Sequence, residues 1–412
     1  MTAHPDWTVD GEALADLTAE LLSFDTQNPP GDTRAIMAWV REYLEAAGLS
    51  PETIAEDPAK PNVVSRVPGE RPETLLLLGH LDTVPYDAAD WEYAPLGERV
   101  DDRMYGRGAT DMKGPFAAML TVYRWYAEQE SPPPVTLEFA AVSDEEIGGD
   151  AGLPAVLDAD VLDPDACIVG ETTCGGGRHS ISIADRGSIW LTIRGIGKAA
   201  HGSRPMFGDN AIDRLYDAIE RIRHQVGTRT VEVPGEVAPI LAESIEYYTN
   251  IVGPDGADQL FNRPTINLGT ITGGDAINSV PAEAVAELDI RVPPGADTTE
   301  VLDELRDCID GCDNVVVESV RWSIGTYVDP EEPIVQSVVT CAENITGESI
   351  VRRSSTGGSD AKRLRNREIP AVEFAFGTDT VHGVDEYTTV EALENNARTF
   401  HDIVREWATT FE

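Results

Sequence analysis

The sequence predicts an α/β protein in which a mostly parallel sheet, covered by helices, is interrupted by an inserted α+β domain with the ferredoxin-like order of elements. Three observations support this prediction. Short apolar runs alternate with helical patterns early in the chain, and a β-α-β-β-α-β succession follows. The alternation of short apolar runs and helical patterns then returns near the end. With 412 residues, the chain exceeds the length at which a single core stops growing, so two domains are expected.

The first region begins with two helical patterns. Leu14, Leu17 and Leu21 recur at helical spacing, the sequence NPPGD interrupts them, and a second pattern runs from Ile36 to Leu44. Strands and helices then alternate, and continuous apolar runs such as TLLLLG are typical of strands that are buried on both faces. The predicted strands are residues 62–67, 74–79, 135–142 and 166–170, and the predicted helices between them are residues 114–129 and 152–157.

The pattern changes after residue 184, where longer strands alternate in polarity. The succession β-α-β-β-α-β places an inserted domain at residues 185–322. Its predicted elements are strands 188–196, 265–272, 283–292 and 315–322 and helices 210–226 and 299–309. The tail then returns to the alternation of the first region, with helices 333–346, 359–365 and 389–407 and strands 350–355 and 371–377. Residues 1–184 and 323–412 are therefore expected to form one domain.

The composition is strongly acidic. Asp and Glu number 73 against 31 Lys and Arg, which gives a formal net charge of −42, and only four of the basic residues are lysines. Nucleic acid is excluded as a partner because phosphate binding needs a basic surface. The composition resembles that of proteins from salt-loving cytoplasms, where salt screens the repulsion between like charges, and it predicts salt-dependent folding. The alternative is a protein that is merely acidic.

The chain shows no signal for export or membrane insertion. The N-terminal residues lack a basic segment followed by an apolar one, and no apolar stretch approaches the length of a membrane span. The five cysteines are odd in number and do not form a disulfide framework. These features predict a cytoplasmic protein without membrane partners.

Several predicted strands end in side chains that bind metals. TLLLLG is followed by His80, VTLEFAAV by the pair Glu145–Glu146, ACIVG by Glu171, and AVEFAFG by a segment that contains His382. Open α/β sheets bind ligands beyond the carboxyl ends of their strands. Asp111, in the glycine-rich GRGATDMKG, is a further candidate. Imidazole and carboxylate together suit zinc or a similar cation, so the sequence predicts a metal-dependent enzyme.

The spacing of these residues allows a division of roles. Asp82 lies two residues after His80 and can hold the second ring nitrogen of a ligating imidazole. Adjacent residues such as Glu145 and Glu146 point in different directions, so one can bind metal while the other transfers a proton. Asp111 can bridge two cations through its two oxygens. Each motif alone also fits a purely structural explanation. The histidine can be one whose ring nitrogens are hydrogen-bonded within the fold, and the glutamates can belong to a solvent-exposed acidic loop.

Five motifs in order resemble one family. HLDTVP, YGRGATDMKG, SDEEIGG, IVGETT and VHGVDEY are similar, in order and separation, to the motifs of the di-zinc deacylases and exopeptidases. These include acetylornithine deacetylase, succinyl-diaminopimelate desuccinylase and carboxypeptidase G. The resemblance implies a zinc-exopeptidase-like catalytic domain with two Zn²⁺, or Co²⁺ or Mn²⁺ instead, and an inserted domain that serves as lid and dimerisation domain.

The resemblance also implies roles for the metal-binding side chains. His80 and Glu171 would hold one zinc, Glu146 and His382 would hold the other, and Asp111 would bridge them.

Three further residues would take part in catalysis. Asp82 would orient His80, and Glu145 would be the general base that takes a proton from the metal-bridging water and delivers it to the departing amine. His201 would reach across a homodimer to steady the oxyanion.

The family's substrate contacts match Asn278 and Arg291, with Arg291 binding a carboxylate through its planar fork. An exposed strand arginine is the alternative. Gly357 and Gly358 precede a predicted helix, whose free N–H groups suit an anion. They can equally belong to a helix cap.

The expected reaction is removal of an acyl group from a small N-acyl amino acid. The sequences DEEIGG and HGSRPMFGDNAI favour this deacylase branch. The alternatives are a dipeptidase or carboxypeptidase of the same family, acting on a dipeptide, and a catalytically silent binding protein with the same fold. A protein that binds magnesium or calcium is disfavoured by two histidines among the ligands.

Overall fold

The computed structural model describes residues 7–175 and 177–411. The strands are β1 (Glu52–Ile54), β2 (Asn62–Val67), β3 (Thr74–His80), β4 (Glu98–Val100), β5 (Arg103–Tyr105), β6 (Thr136–Val142), β7 (Ala166–Val169), β8 (Ser180–Asp185), β9 (Gly187–Ile196), β10 (Ala200–His201), β11 (Thr265–Gly273), β12 (Ser279–Val280), β13 (Glu283–Val292), β14 (Val315–Ser323), β15 (Thr326–Tyr327), β16 (Val351–Ser355), β17 (Ala371–Glu373) and β18 (Tyr387–Thr389). The helices are α1 (Gly11–Leu22), α2 (Arg34–Ala46), α3 (Lys113–Ala127), α4 (Leu153–Asp158), α5 (Ala211–Gln225), α6 (Ala238–Asn262), α7 (Thr298–Asp310), α8 (Pro333–Thr346), α9 (Asp360–Arg365) and α10 (Val390–Thr409).

The described chain divides into two compact units. The first comprises residues 7–183, 328–352 and 359–411, and the second comprises residues 184–327 and 353–358. The predicted inserted domain, residues 185–322, falls inside the second unit.

The first unit is built on a mixed sheet whose centre is parallel. Its strands run in the order β1-β2-β6-β3-β7-β17-β8. β3 pairs in parallel with β6 and β7, and β7 pairs in parallel with β17. The flanking pairs β2–β6 and β17–β8 are antiparallel. The prediction of an α/β fold with a mainly parallel central sheet is confirmed.

The central strand β3 is buried along its whole length. Leu76 and Leu78 join a core that includes Val156 of α4 and Leu364 of α9. The alternation of side chains along a strand directs Leu75 and Leu77 to the opposite face, where α3 packs. Each leucine buried in this way contributes roughly 1.5–3 kcal/mol to folding. Helices on both faces therefore explain why this strand is a continuous apolar run.

This sheet determines where the candidate site forms. β3 ends at His80, β6 ends at Val142 just before Glu145, and β7 ends at Val169 just before Glu171. Parallel neighbouring strands have their carboxyl ends at the same edge of the sheet. The side chains of His80, Glu145 and Glu171 therefore lie close together at this edge.

The second unit contains a four-stranded antiparallel sheet. Its strands run in the order β11-β13-β9-β14, and each pairs antiparallel with its neighbour. Ile189 and Ile193 of β9 join one core with Ile219 of α5 and Leu305 of α7. The side chain of Trp190, which follows Ile189 and therefore points to the opposite face of the sheet, is exposed. The helices therefore cover one face of this sheet.

The sequence pattern missed α6 in the second unit. Its residues 238–262 include Ile240, Leu241, Ser244 and Tyr247 at helical spacing on a buried face. Gly253 interrupts it with a φ of 78° before Pro254, so two helical segments follow each other. A Gly-Pro pair reads as a loop signal, which explains the omission. Among residues 7–175 and 177–411, no helix is both long and apolar enough to cross a bilayer.

Candidate metal centre

His80 lies at the centre of the candidate site, with its side chain 1% exposed. Its Nδ1 is 2.9 Å from the carbonyl oxygen of Asp82, and its Nε2 is 3.2 Å from both Asp111 Oδ1 and Glu171 Oε1. A carbonyl oxygen only accepts hydrogen bonds, so Nδ1 is the donor. A neutral ring then keeps the lone pair of Nε2 for a cation.

Asp111 connects His80 to the second histidine. Its Oδ2 is 3.0 Å from His382 Nε2, while Oδ1 contacts His80. His382 Nε2 is also 3.1 Å from Glu146 Oε2, and the side chain of His382 is 50% exposed. One carboxylate therefore faces two imidazoles, which is the arrangement that a bridging ligand requires.

The donor atoms form two overlapping groups. Within each group, one atom from each residue lies within 4.8 Å of the others; the groups are His80, Glu145 and Glu171, and His80, Asp111 and Glu146. A mixture of nitrogen and oxygen donors suits zinc and similar cations. The three carboxylates of Asp111, Glu146 and Glu171 would also offset most of the charge of two divalent cations. The residues present fit a metal centre.

The pKa values of these groups are shifted because buried carboxylates and imidazoles lie next to each other. Burial lowers the pKa of His80, but the charge of Glu171 and hydrogen bonds to carboxylates raise it well above its ordinary value. Burial raises the pKa of Glu171 to about 8, and repulsion from Asp111 adds to it. Hydrogen bonds to Asp111 and Glu146 raise the pKa of His382 to about 10. A bound cation would replace these protons.

Asp82 holds the loop that carries the two glutamates. Its Oδ1 accepts the N–H of Glu145 at 3.2 Å, and its Oδ2 accepts the N–H of Glu146 at 3.2 Å. Its Oδ1 is 3.6 Å from His80 Nδ1, farther than the main-chain oxygen that accepts from the ring. The Asp82 main chain therefore makes the shorter contact to His80, and its carboxylate, which also lies near the ring, fixes the backbone of Glu145 and Glu146.

Glu145 and Glu146 differ in their surroundings. Glu146 Oε1 accepts the N–H of Val84 at 3.1 Å, and its other oxygen contacts His382. Burial raises the pKa of Glu145 well above its ordinary value, and the charges of Glu171, Asp360 and Glu146 add to this against the opposing charge of His80. Glu145 also lies close enough to His80 and Glu171 to bind a metal.

A polar network that was not predicted lies behind this loop. Asn28 donates to Asp82 Oδ2 at 2.8 Å and to Asp144 Oδ1 at 3.0 Å, and Lys60 pairs with Asp144. In the sequence, Asn28 belongs to NPPGD, which indicated only a helix break. Its partners are far away along the chain, so no local pattern could reveal this role.

Two further buried residues of the site were not predicted. Glu386 and Arg107 form an ion pair at 2.6 Å, with side chains 0% and 5% exposed. Both lie inside motifs that carried the family resemblance, VHGVDEY and YGRGATDMKG. Their presence in these motifs was the available signal, but nothing in their spacing pairs them.

The other predicted catalytic and substrate-binding residues belong to the second unit. His201 of β10 pairs with Ser279 of β12, and the N–H of Gly202 donates to the carbonyl of Asn278 at 2.6 Å. The structure thus brings His201 and Asn278 into neighbouring loops. The His201 ring accepts from the N–H of Ser203 at 3.2 Å through Nδ1.

The predicted carboxylate-binding arginine has an internal partner. Arg291 Nε and Nη2 contact the two carboxylate oxygens of Asp289 at 2.8 and 3.1 Å. A substrate carboxylate would have to compete with Asp289 for this fork. The N–H of Gly357 donates to Ser355 Oγ at 3.3 Å, and Gly358 follows it directly before Ser359, which caps α9. The roles of Arg291, Gly357 and Gly358 stay predictions.

Comparison with known families places this site in context. Residues 76–406 match the model of the family described as Peptidase family M20/M25/M40. The chain belongs to this peptidase family. The predicted resemblance is confirmed, and so is the prediction of a metal-dependent hydrolase at the level of the family.

Relatives within the M20/M25/M40 family cover most of this chain. It is 29% identical over 354 residues to the succinyl-diaminopimelate desuccinylase of Rhodospirillum centenum, covering 84% of each chain. It is 30% identical over 312 residues to the acetylornithine deacetylase of Vibrio cholerae, covering 74% of this chain and 70% of that one. The fold matches that of an M20 family metallo-carboxypeptidase from Sulfolobus solfataricus, with a TM-score of 0.79, 19% identity, and coverage of 98% of this chain and 100% of that one.

Proposed function

We propose that this M20/M25/M40 family member removes the acyl group from a small N-acyl amino acid. The observation that carries the proposal is the cluster in which Asp111 faces both His80 and His382 while Glu145 lies beside it. The names of the two relatives, a desuccinylase and a deacetylase, support the choice of a deacylase.

In this proposal, the clustered side chains would hold two zinc ions. His80 and Glu171 would hold one, Glu146 and His382 would hold the other, and Asp111 would be shared by both. When bound, such a pair of cations polarises the amide carbonyl and lowers the pKa of water towards roughly 7.

Glu145 transfers the proton of the reaction. It accepts a proton from the attacking water as the water oxygen bonds to the carbonyl carbon. It then gives that proton to the nitrogen as the C–N bond breaks, so one amide and one water become one carboxylic acid and one amine, which are carboxylate and ammonium at neutral pH. Burial raises the pKa of Glu145, and a higher pKa makes the carboxylate a stronger base towards the attacking water.

A substrate panel tests the proposed reaction. Zinc-loaded enzyme in molar KCl is given N-acetyl and N-succinyl amino acids and dipeptides, and the released amine is measured. We expect kcat/KM for at least one N-acyl amino acid to exceed that for every dipeptide by tenfold or more, a difference of about 1.4 kcal/mol. A chelator-treated sample is the control. A preference for dipeptides would replace the deacylase with a dipeptidase of the same family.

We also propose a homodimer formed through the second unit, in which His201 serves the site of the partner. Met206 and Phe207 in the loop after His201 are 77% and 66% exposed, and Ile277 beside Asn278 is fully exposed. Apolar side chains this exposed favour a protein interface. Sedimentation velocity and activity are measured over the same dilution series. We expect activity per chain to fall as dimers dissociate, and fully active monomers would contradict the arrangement.

A further inference from the structure

Glu386 is a fully buried carboxylate with four donors. Its Oε1 accepts the N–H groups of Thr110 at 2.9 Å and Asp111 at 3.0 Å. Its Oε2 accepts the N–H of Gly108 at 3.1 Å and contacts Arg107 Nη1 at 2.6 Å. One side chain therefore accepts from three backbone N–H groups, those of Gly108, Thr110 and Asp111, in the loop that carries Asp111.

Arg107 extends this contact to the second histidine. While Nη1 binds Glu386, Nη2 donates to the main-chain carbonyl of His382 at 3.3 Å. The ion pair thus contacts the backbone of Asp111 on one side and the backbone of His382 on the other. Both residues are parts of the first unit.

His382 needs such support more than His80 does. His80 ends a buried strand that is paired on both sides, whereas His382 lies in the loop between β17 and β18 with a φ of 60° and a half-exposed side chain. The distance from His382 Nε2 to Asp111 Oδ2 therefore depends on contacts that join their two loops.

We propose that Glu386 and Arg107 are positioning residues that set the spacing of Asp111 and His382 and so the affinity for the cation that these two ligands share. The inference rests on the proposed function, because it takes both residues as metal ligands. Residues that orient ligands from outside the coordination shell typically change metal affinity by roughly 10–100-fold when they are replaced.

The variant Glu386→Gln tests this role. Glutamine keeps the size of the side chain but turns one acceptor into an NH₂ donor, which then faces either Arg107 and Gly108 or the N–H groups of Thr110 and Asp111. Full-length apo-protein is titrated with zinc against a chromophoric chelator, and the two affinities are resolved. We expect the affinity for at least one of the two zinc ions to fall about 10–100-fold.

Glu138→Gln is the matched control. The Glu138 carboxylate is also 0% exposed and contacts an arginine, Arg66, at 2.6 Å, and it accepts the N–H of Asp163 at 3.2 Å. None of these residues belongs to the candidate site. Both variants should melt at a lower temperature, but only Glu386→Gln should change zinc affinity.

The outcomes separate the inference from the proposed function. If the parent protein binds zinc and hydrolyses N-acyl amino acids while Glu386→Gln keeps the parent's zinc affinities, or if Glu138→Gln loses the same affinity, the positioning role is refuted alone. If the parent binds no zinc, the proposed function fails. Should Glu386→Gln not fold, Arg107→Lys carries the test, because one ammonium cannot reproduce the planar fork that spans Glu386 and His382. Unchanged zinc affinity in Arg107→Lys would then overturn the inference.

Discussion

Glu145→Gln is expected to leave zinc binding intact while lowering kcat by about a hundredfold or more, as loss of a general base does. Glutamine has nearly the same shape, so the hydrogen bond from the residue's own N–H to Asp82 is preserved. What it cannot do is accept a proton from water and return it to the leaving amine. The fall should therefore appear in kcat rather than in metal content.

The neighbouring glutamate gives a sharp comparison. Glu146→Gln keeps the same local sequence but alters a carboxylate that contacts His382 at 3.1 Å, so it should lose zinc. Zinc is measured by elemental analysis after dialysis, and turnover is measured with the preferred substrate. If Glu145→Gln binds one zinc fewer than the parent, Glu145 is a ligand and the division of roles is wrong.

Asp111→Asn is expected to reduce zinc affinity more than the roughly 10–100-fold typical of residues outside the coordination shell. The reason is geometric and electrostatic. Among the residues that the structure describes, Asp111 is the carboxylate whose two oxygens contact both His80 and His382, and an amide offers a single neutral oxygen. Both cations should be affected, and turnover should fall with them.

Asp165→Asn is a suitable control for this variant. Asp165 accepts the N–H of Thr74 at the opposite end of β3, so it anchors the same strand without contacting the site. Zinc titration of both variants shows whether the loss is specific. Two zinc ions bound by Asp111→Asn with parental affinity would remove Asp111 as the bridge.

The sequence revealed the candidate ligands because each follows a recognisable local signal. His80, Glu145 and Glu171 come directly or shortly after apolar runs that are typical of buried strands, and strand ends are where α/β sheets bind ligands. The supporting residues had no such signal. Asn28 is 54 residues from Asp82 and Arg107 is 279 from Glu386, so only the order of strands in the sheet makes them neighbours.

Local sequence signals did not predict every element. The Gly-Pro pair at 253–254 indicates a loop, and α6 was not predicted, because residues that break a helix also occur where two helical segments meet. The order of Asp82 after His80 predicted that its carboxylate lies near the ring, and Oδ1 is 3.6 Å from Nδ1. No local pattern showed that the same carboxylate also accepts the N–H groups of Glu145 and Glu146, or that the main-chain carbonyl of Asp82 makes the shorter contact to the ring.

The sequence by itself therefore determined the fold class, the family and the order of the metal-binding side chains, since apolar periodicity and short motifs are local properties. The tertiary structure alone decided which oxygen faces which imidazole, and which buried charges hold them. Those contacts depend on distances between loops that adjoin different strands. Such distances follow from sheet order and packing, which no short stretch of residues encodes.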